Sequence, residues 1–280
     1  MYLVIGATGN VGSEVVKQLL AAGKKVRAFT RDAAKVAAWD GQVEVAIGDL
    51  TSPATFAQAV SGVEGIFLMN GALDGGIFRQ LIAAVKAQGN PRVVFLSTLF
   101  AGFPESQIGQ LHKDKEDVIR ASGLPGRFVR AGAFMTNAYQ WLGTIKAEGA
   151  VYNATGAGRI APVTAEDIAA VAVHALIDPS LTPEIFEVTG NELLTIPEQV
   201  GMLADAANRP IRCVDTSTET AVQGLIAIGT PPPVAAAVGQ SYETVRNGKM
   251  AMVKDTVLRV TGRQPRSYQS WAREHASRFA

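Results

Sequence analysis

The chain of 280 residues is long enough to bury a sizeable core, either as one large domain or as a large domain with a smaller annex. Its 26 basic and 25 acidic residues nearly cancel and form no long basic run, which argues against nucleic acid or an anionic membrane as a main partner. A single cysteine and three scattered histidines argue against an internal disulfide and a metal centre.

The first apolar strand leads directly into a glycine-rich turn. Residues 2–12 read YLVIGATGNVG, and an amphipathic helix is predicted over residues 13–22. Such a turn exposes backbone N–H groups at a helix N-terminus, where the helix dipole favours an anion. Gly6 suits the tight turn, Gly9 leaves room for a pyrophosphate, and Gly12 lets the helix pack closely on the strand. The turn predicts a dinucleotide site formed by Gly6, Thr8, Gly9, Asn10, Val11 and Gly12.

Strand and helix signals alternate through the first half of the chain. Strands are predicted over residues 2–5, 25–29, 43–47, 65–69 and 92–97, and helices over residues 13–22, 33–39, 53–60 and 76–88. The strands are continuous apolar runs, so both faces of the sheet should be covered. Repeated strand–helix units predict an α/β fold, namely a Rossmann-like doubly wound parallel sheet.

The second half is less regular. A strand over residues 128–130, helices over 108–121, 166–177 and 197–208, and short strands over 185–188 and 211–214 are followed by mainly helical sequence. We expect residues 1–150 to form the NAD(P)-binding domain and residues 151–280 to form a smaller, mainly helical substrate subdomain. Some segments of the second region should return to the first. Arginines near the C-terminus are interpreted as a solvated helix face.

The end of the second strand indicates which dinucleotide is bound. An acidic residue there is typical of NAD sites, whereas this strand ends at the neutral Thr30 and is followed by Arg31. An arginine can make charge-assisted hydrogen bonds to a 2′-phosphate. Asp32 competes for the ribose but fits better as the N-cap of the next helix. The sequence therefore predicts NADP(H), with NAD(H) as the less favoured alternative.

Other strand ends supply further candidate cofactor contacts. Asp49, followed by Leu50, is placed to receive an adenine amino group, although an aspartate there also suits a turn. Residues at the ends of the fourth and fifth strands are expected beside the cofactor ribose and nicotinamide. They are Met69, Asn70, Gly71, Ser97 and Thr98.

Five segments give the chain a family resemblance. They read GATGNVG (6–12), TR (30–31), GDL (48–50), FVRAGAFMTN (128–137) and PVTAEDI (162–168). Over nearly its whole length the chain resembles the NmrA-like branch of atypical short-chain dehydrogenases/reductases. The resemblance implies a Rossmann-like domain with a small C-terminal substrate domain. It also implies an activity like that of NADPH-dependent quinone oxidoreductases and triphenylmethane dye reductases, or a role as a redox sensor without turnover.

The candidate catalytic residues differ from those of typical short-chain dehydrogenases. Typical short-chain dehydrogenases carry Tyr-x-x-x-Lys on a helix, and none of the five tyrosines here is followed by lysine at that spacing. At this place the resemblance implies His112 and Glu116, with Glu116 orienting or charging His112 so that it donates a proton or hydrogen-bonds the substrate. Ordinary ion pairs on a hydrophilic helix turn are the alternative. Thr98 is a candidate for orienting substrate, and Lys113 for contacting the cofactor.

Apolar and amide side chains after the strand ends are candidates for the substrate pocket. They are Phe100, Phe134, Met135, Asn137 and Tyr139, together with Phe103, Trp141 and a possible lid at residues 231–233. The sequence thus predicts a cytoplasmic NADPH-dependent oxidoreductase for a quinone-like or other conjugated aromatic acceptor. The alternative is a non-catalytic NADP(H) sensor that acts through protein partners. The sequence does not decide between a monomer and a homodimer.

Overall fold

A computed structural model describes residues 1–39, 41–69 and 74–280. Its larger part is a seven-stranded parallel sheet with the order β3-β2-β1-β4-β5-β6-β8. The strands are β1 (Tyr2–Ile5), β2 (Val26–Thr30), β3 (Glu44–Ile47), β4 (Gly65–Met69), β5 (Arg92–Thr98), β6 (Gly126–Ala131) and β8 (Ile185–Val188). The predicted doubly wound sheet is confirmed, and strand boundaries differ from the prediction by at most two residues.

Helices cover both faces of this sheet. They are α1 (Asn10–Ala21), α2 (Pro53–Ala59), α3 (Gly75–Ala87), α4 (Gln107–Ala121) and α6 (Ala165–Ile177). One apolar cluster joins α1 and α6 to the sheet through residues such as Val15 and Ile168. A second joins α2, α3 and α4 to the opposite face through residues such as Phe56, Phe78 and Ile119. Strands β1, β2, β4, β5 and β6 are therefore buried on both sides, as their composition predicted. The prediction was wrong for the edge strand β3, where Val45 is 41% and Ile47 57% exposed.

The predicted start of the first helix was wrong by three residues. Helix α1 begins at Asn10, so residues 10–12 of the glycine motif form its first turn rather than a loop before it. Gly9 is the N-cap and contributes no side-chain hydrogen bond. The first backbone N–H groups of α1 therefore donate no capping hydrogen bond to a side chain of the N-cap residue and stay available to a ligand.

Most of the remaining elements build a smaller region beside the sheet. They are α5 (Leu142–Glu148), β7 (Ala150–Asn153), α7 (Ile196–Ala207), β9 (Arg212–Asp215), α8 (Thr218–Ala227), α9 (Pro232–Arg246) and α11 (Tyr268–Glu274). Helix α10 (Thr256–Thr261) instead packs on α6 and adds Val257 to the core of the main sheet. Strands β7 and β9 pair in parallel as a separate two-stranded sheet, which the sequence did not predict. A third apolar cluster, with Met135, Leu203 and Trp271, is the core of this region.

Two local expectations need correction. Residues 33–39 form a 3₁₀ helix rather than an α-helix, with Asp32 Oδ1 accepting from the Ala34 N–H at 3.0 Å. The C-terminal arginines are not simply solvated. Arg263 pairs with Asp167, which is 1% exposed near the start of α6. Arg266 donates its backbone N–H to the same carboxylate at 3.0 Å, which ties the C-terminal segment to the sheet.

Across the described residues, no helix has both the length and the apolar character needed to span a bilayer.

Candidate active site

The strand order reverses direction between β1 and β4, since β2 and β3 lie on one side and β5, β6 and β8 on the other. In open α/β sheets, ligands bind outside the carboxyl ends of the strands at such a switch point. Two cavities open there. The larger, which we call the cofactor cavity, is about 530 Å³, and the other, which we call the apolar cavity, is about 410 Å³.

The cofactor cavity lies over the ends of β1, β2, β3 and β4. Its lining residues are Ile5, Gly6, Thr8, Phe29, Thr30, Arg31, Asp32, Lys35, Gly48, Asp49, Leu50, Thr51 and Met69. Of the residues predicted to bind cofactor, this set contains Gly6, Thr8, Arg31, Asp49, Leu50 and Met69. Asn70 and Gly71 lie outside the described residues.

The glycines of the first turn allow three close backbone approaches. Gly6 has φ of +68°, and a Cβ there would lie 2.1 Å from the Met69 sulfur. A Cβ on Gly12 would lie 2.0 Å from the Gly6 carbonyl oxygen. Gly9 donates its N–H to the same carbonyl at 2.8 Å. A side chain at Gly12 would therefore push α1 away from the turn, whereas one at Gly6 would be strained by the positive φ and would displace the Met69 side chain.

The structure places Gly9 at the N-cap and Asn10, Val11 and Gly12 in the first turn of α1, and their contact with the cofactor stays a prediction. Within the described chain none of them lines the cofactor cavity. Val11 is buried against the sheet, and Gly12 serves the packing of α1. Asn10 donates from Nδ2 to Thr136 Oγ1 at 2.6 Å, which joins the glycine turn to the segment after β6.

Charges at the end of β2 suit a phosphate. Arg31 and Lys35 are both exposed and both line the cofactor cavity. The acidic neighbours already accept local hydrogen bonds. Asp32 accepts from the Ala34 N–H at 3.0 Å, and Asp49 accepts from the Thr51 N–H and hydroxyl, both at 2.8 Å. The two hydrogen bonds from Thr51 lower the pKa of Asp49, and the nearby Arg31 charge lowers it further.

The apolar cavity lies over the ends of β4, β5 and β6 and is closed by α4, α7 and α9. Its lining residues are Met69, Leu96, Ser97, Thr98, Phe100, Ile108, His112, Ala131, Gly132, Ala133, Phe134, Asn137, Ala138, Gln140, Trp141, Thr155, Ile160, Ile196, Gln199, Ser241, Tyr242, Val245 and Met250. Met69 lines both cavities. The two cavities are therefore adjacent at this side chain.

Several residues predicted to bind substrate lie elsewhere. Met135 is 1% exposed in the apolar cluster of the smaller region. Tyr139 belongs to the same cluster, with ring centroids 5.7 Å from Trp271 and 6.0 Å from Phe279. The 3₁₀ helix Met135–Trp141 turns these two side chains away from the cavity and turns Asn137 and Trp141 toward it.

Three further segments that were predicted to contact a ligand line neither cavity. In the part of the chain that the structure describes, Phe103 lines neither cavity. The same holds for residues 231–233, since residues 232–233 begin α9. Helix α9 covers the apolar cavity through its later residues, among them Tyr242 and Val245. Lys113 likewise lines neither cavity and pairs with Asp117 one turn along α4. A direct cofactor contact by Lys113 is therefore not supported.

A buried ion pair lies behind the apolar cavity. Glu116 is 0% exposed and accepts two hydrogen bonds from Arg130, at 2.9 and 2.6 Å. Its Oε1 also accepts from the Ser97 hydroxyl at 2.6 Å. The expectation that Glu116 orients His112 is thus redirected, because these oxygens fix Arg130 and Ser97. The Ser97 proton is committed to this pair, which leaves the Ser97 oxygen as an acceptor.

His112 lies on the cavity wall, with its ring centroid 5.9 Å from that of Phe95. Burial, together with the Lys115 charge, lowers its pKa from 6.5 to about 4 against the opposing effect of Glu116. The imidazole is therefore neutral near pH 7, so the predicted charging of His112 by Glu116 does not occur. A neutral imidazole can still donate or accept a hydrogen bond.

Thr98 and two residues that the sequence analysis missed add polar groups to the wall. Thr98 Oγ1 accepts from the Phe100 N–H at 3.3 Å. Gln199, on α7, and Tyr242, on α9, were not predicted. Gln199 follows Ile196 by three residues and precedes Leu203 by four, so helical spacing places it in the buried stripe of α7. No comparable pattern marks Tyr242, and burial raises the pKa of its hydroxyl.

Comparison with known proteins gives a consistent picture. The model of a family described as NAD(P)H-binding matches residues 6–179. The chain is 36% identical to an NAD(P)H azoreductase of Xenophilus azovorans, over 100% of this chain and 99% of that protein. It is also 36% identical to a (4-alkanoyl-5-oxo-2,5-dihydrofuran-3-yl)methyl phosphate reductase of Streptomyces griseus subsp. griseus, again over 100% of this chain and 99% of the other.

A solved structure shows the same fold over the whole chain. The NADPH complex of a quinone oxidoreductase from Escherichia coli has a TM-score of 0.86 at 22% identity, covering 98% of this chain and 99% of that one. The glycine turn, the strand order and the family match agree, and the protein belongs to the NAD(P)H-binding family, as its NmrA-like segments predicted.

Proposed function

We propose that this protein is an NADPH-dependent oxidoreductase that reduces flat, conjugated small molecules, of the kind represented by quinones and azo compounds. The observation that carries the proposal is the pair of adjacent cavities. One is built for a dinucleotide, the other is mostly apolar, and both include Met69. The names of relatives that act on an azo compound, an unsaturated lactone and a quinone agree with this substrate class.

The cofactor cavity fits NADP(H) better than NAD(H). Arg31 and Lys35 offer two cations at the end of β2, where a 2′-phosphate would be held. Gly6 and Thr8 line the cavity beside the N-terminus of α1, whose uncapped N–H groups favour a pyrophosphate. When bound, the reduced cofactor supplies a hydride.

The residues of the apolar cavity position the acceptor and exclude water. Phe100, Phe134 and Trp141 offer flat faces, and the helices above them close the space. The smaller region, which we assign mainly to residues 151–280, provides that cover. Helix α6 (residues 165–177) instead packs on the main sheet, and β8 (residues 185–188) is one of its strands.

Proton transfer does not require a charged acid in this site. His112 is neutral near pH 7, and the Ser97 proton is held by Glu116. Reduced quinones and reduced azo compounds can take their protons from solvent after hydride transfer. We therefore assign His112 to hydrogen bonding and packing on the cavity wall rather than to delivery of a proton from an imidazolium.

The test is NADPH oxidation with 1,4-naphthoquinone, an azo dye and a triphenylmethane dye as acceptors. We expect turnover of about 1–1000 per second with at least one of them. The His112→Ala variant should retain activity, and its pH profile near pH 6.5 should match that of the wild type. Tight NADPH binding without turnover of any acceptor would instead indicate a dinucleotide sensor and overturn the proposal.

A further inference from the structure

Gln199 is a buried polar side chain in the wall of the apolar cavity. It lies in the first turn of α7, one residue after the capping box formed by Thr195 and Glu198. The residue is 4% exposed and lines the cavity beside Ile196. The capping box fixes where α7 begins, so it also fixes which helix face Gln199 occupies.

The side-chain amide of Gln199 has an unsatisfied donor. Among the residues that the structure describes, none accepts a hydrogen bond from its buried Nε2. Buried polar groups are nearly always hydrogen-bonded, and a donor left without an acceptor destabilises the folded state. An unpaired amide beside a cavity is therefore a candidate for pairing with whatever occupies that cavity.

We propose that Gln199 donates a hydrogen bond to a carbonyl oxygen of the acceptor and makes this cavity selective for carbonyl-bearing conjugated molecules. The inference rests on the proposed function, since that function places the acceptor in this cavity. The cavity wall around Gln199 includes Trp141, Ile160 and Ile196, so a bound ring system would pack on apolar surface. A carbonyl oxygen at its edge supplies the acceptor that Nε2 lacks.

Selectivity follows from the cost of leaving the donor unpaired. A flat molecule of the same shape without the oxygen fills the same space but keeps Nε2 buried and unsatisfied. Sites built to hydrogen-bond one group of a ligand discriminate strongly against the analogue that lacks it. Gln199 would thus determine specificity by binding, without taking part in the transfer itself.

The test compares the binding of 9-fluorenone and fluorene, two flat molecules that differ by one carbonyl oxygen. Affinities are measured by titration with the NADP⁺-loaded protein, which needs no turnover. We expect the wild type to bind fluorenone about 3- to 10-fold more tightly than fluorene, the usual worth of one neutral hydrogen bond. In Gln199→Leu the preference should fall to within about twofold.

A matched control is Gln223→Leu, which removes an exposed glutamine from α8 and should keep the wild-type preference. Gln199→Leu should also unfold at a temperature no lower than that of the wild type, because it removes an unsatisfied buried donor. A lower unfolding temperature would indicate a structural partner for the amide and contradict the proposal.

Two binding results would overturn the proposal: no preference for fluorenone in the wild type, or an unchanged preference in Gln199→Leu. Failure of the proposed function has a different signature, namely no turnover with any acceptor. The fluorenone preference still decides the role of Gln199 in that case.

Discussion

The two cavities differ in how the chain builds them. The cofactor cavity uses residues at the ends of four neighbouring strands, all within residues 5–69, and its cations Arg31 and Lys35 are exposed. The apolar cavity draws on residues from 69 to 250, and a fully buried ion pair lies behind it. Charge in the first cavity is therefore available to a ligand, whereas charge behind the second serves the fold.

The largest effect should come from the buried ion pair. Replacing Glu116 by Gln leaves Arg130 buried without its counter-charge, and we expect the free energy of unfolding to fall by about 3–5 kcal/mol in urea denaturation. The control is Glu105→Gln, which breaks a half-exposed pair with Lys249 and should cost far less. An equal fall in the free energy of unfolding of the two variants would contradict the claim that the buried pair stabilises the fold more than the exposed one.

The apolar cavity should also show a pH-dependent stability that traces to His112. Its pKa is 6.5 when unfolded and about 4 when folded, so between these values the unfolded chain binds a proton that the folded chain does not. Stability is then lost as the pH falls from 6.5 toward 4, by up to about 3 kcal/mol.

The His112→Asn variant removes this titration, so its urea denaturation series should show a shallower loss between those pH values. Parallel curves for the wild type and the variant would mean that His112 is not desolvated as the structure shows.

In the cofactor cavity, a change of charge should alter binding rather than stability. Arg31→Ala should weaken NADPH binding by about 1.5–3 kcal/mol, the worth of a hydrogen bond to a charged group, and leave NADH binding nearly unchanged. Lys25→Ala removes a cation before the opposite end of β2 and should change neither affinity. Calorimetric titration measures both. Equal weakening of NADPH and NADH by Arg31→Ala would contradict the 2′-phosphate assignment.

The smallest expected effect tests the glycine turn itself. In Gly12→Ala the new Cβ would lie 2.0 Å from the Gly6 carbonyl oxygen, so α1 must shift, at a cost of about 1–3 kcal/mol in unfolding free energy. Gly143 on α5 has nothing within 4 Å of an added Cβ, and Gly143→Ala should stabilise by about 0.5–1 kcal/mol. Thermal unfolding of both variants should therefore shift in opposite directions.

The same contrast explains what the sequence could predict. The sheet and the end of β2 follow from apolar runs and turn chemistry between residues close in sequence. The spacing of Gly9 and Gly12 does not separate a phosphate contact from helix packing; the structure shows the packing role of Gly12, and the phosphate contact stays a prediction. Met135 and Tyr139 were misplaced because nothing in the sequence shows how a 3₁₀ helix is rotated. Gln199 was overlooked although its place in the apolar stripe of α7 was visible.

The hydrogen-bond partners of Glu116 could not be predicted from the sequence. The i,i+4 spacing from His112 is local, while its partners Arg130 and Ser97 come from two other elements. Three-dimensional packing, not helical spacing, decides which charged groups meet in a buried site.

The most direct test of the two-cavity arrangement is a crystal structure with NADP⁺ and 1,4-naphthoquinone, an oxidised pair that cannot react. We predict that the quinone lies in the apolar cavity against Met69 and that the 2′-phosphate is held by Arg31. A quinone bound outside that cavity, or a 2′-phosphate remote from both Arg31 and Lys35, would contradict the central claim that cofactor and acceptor meet beside Met69.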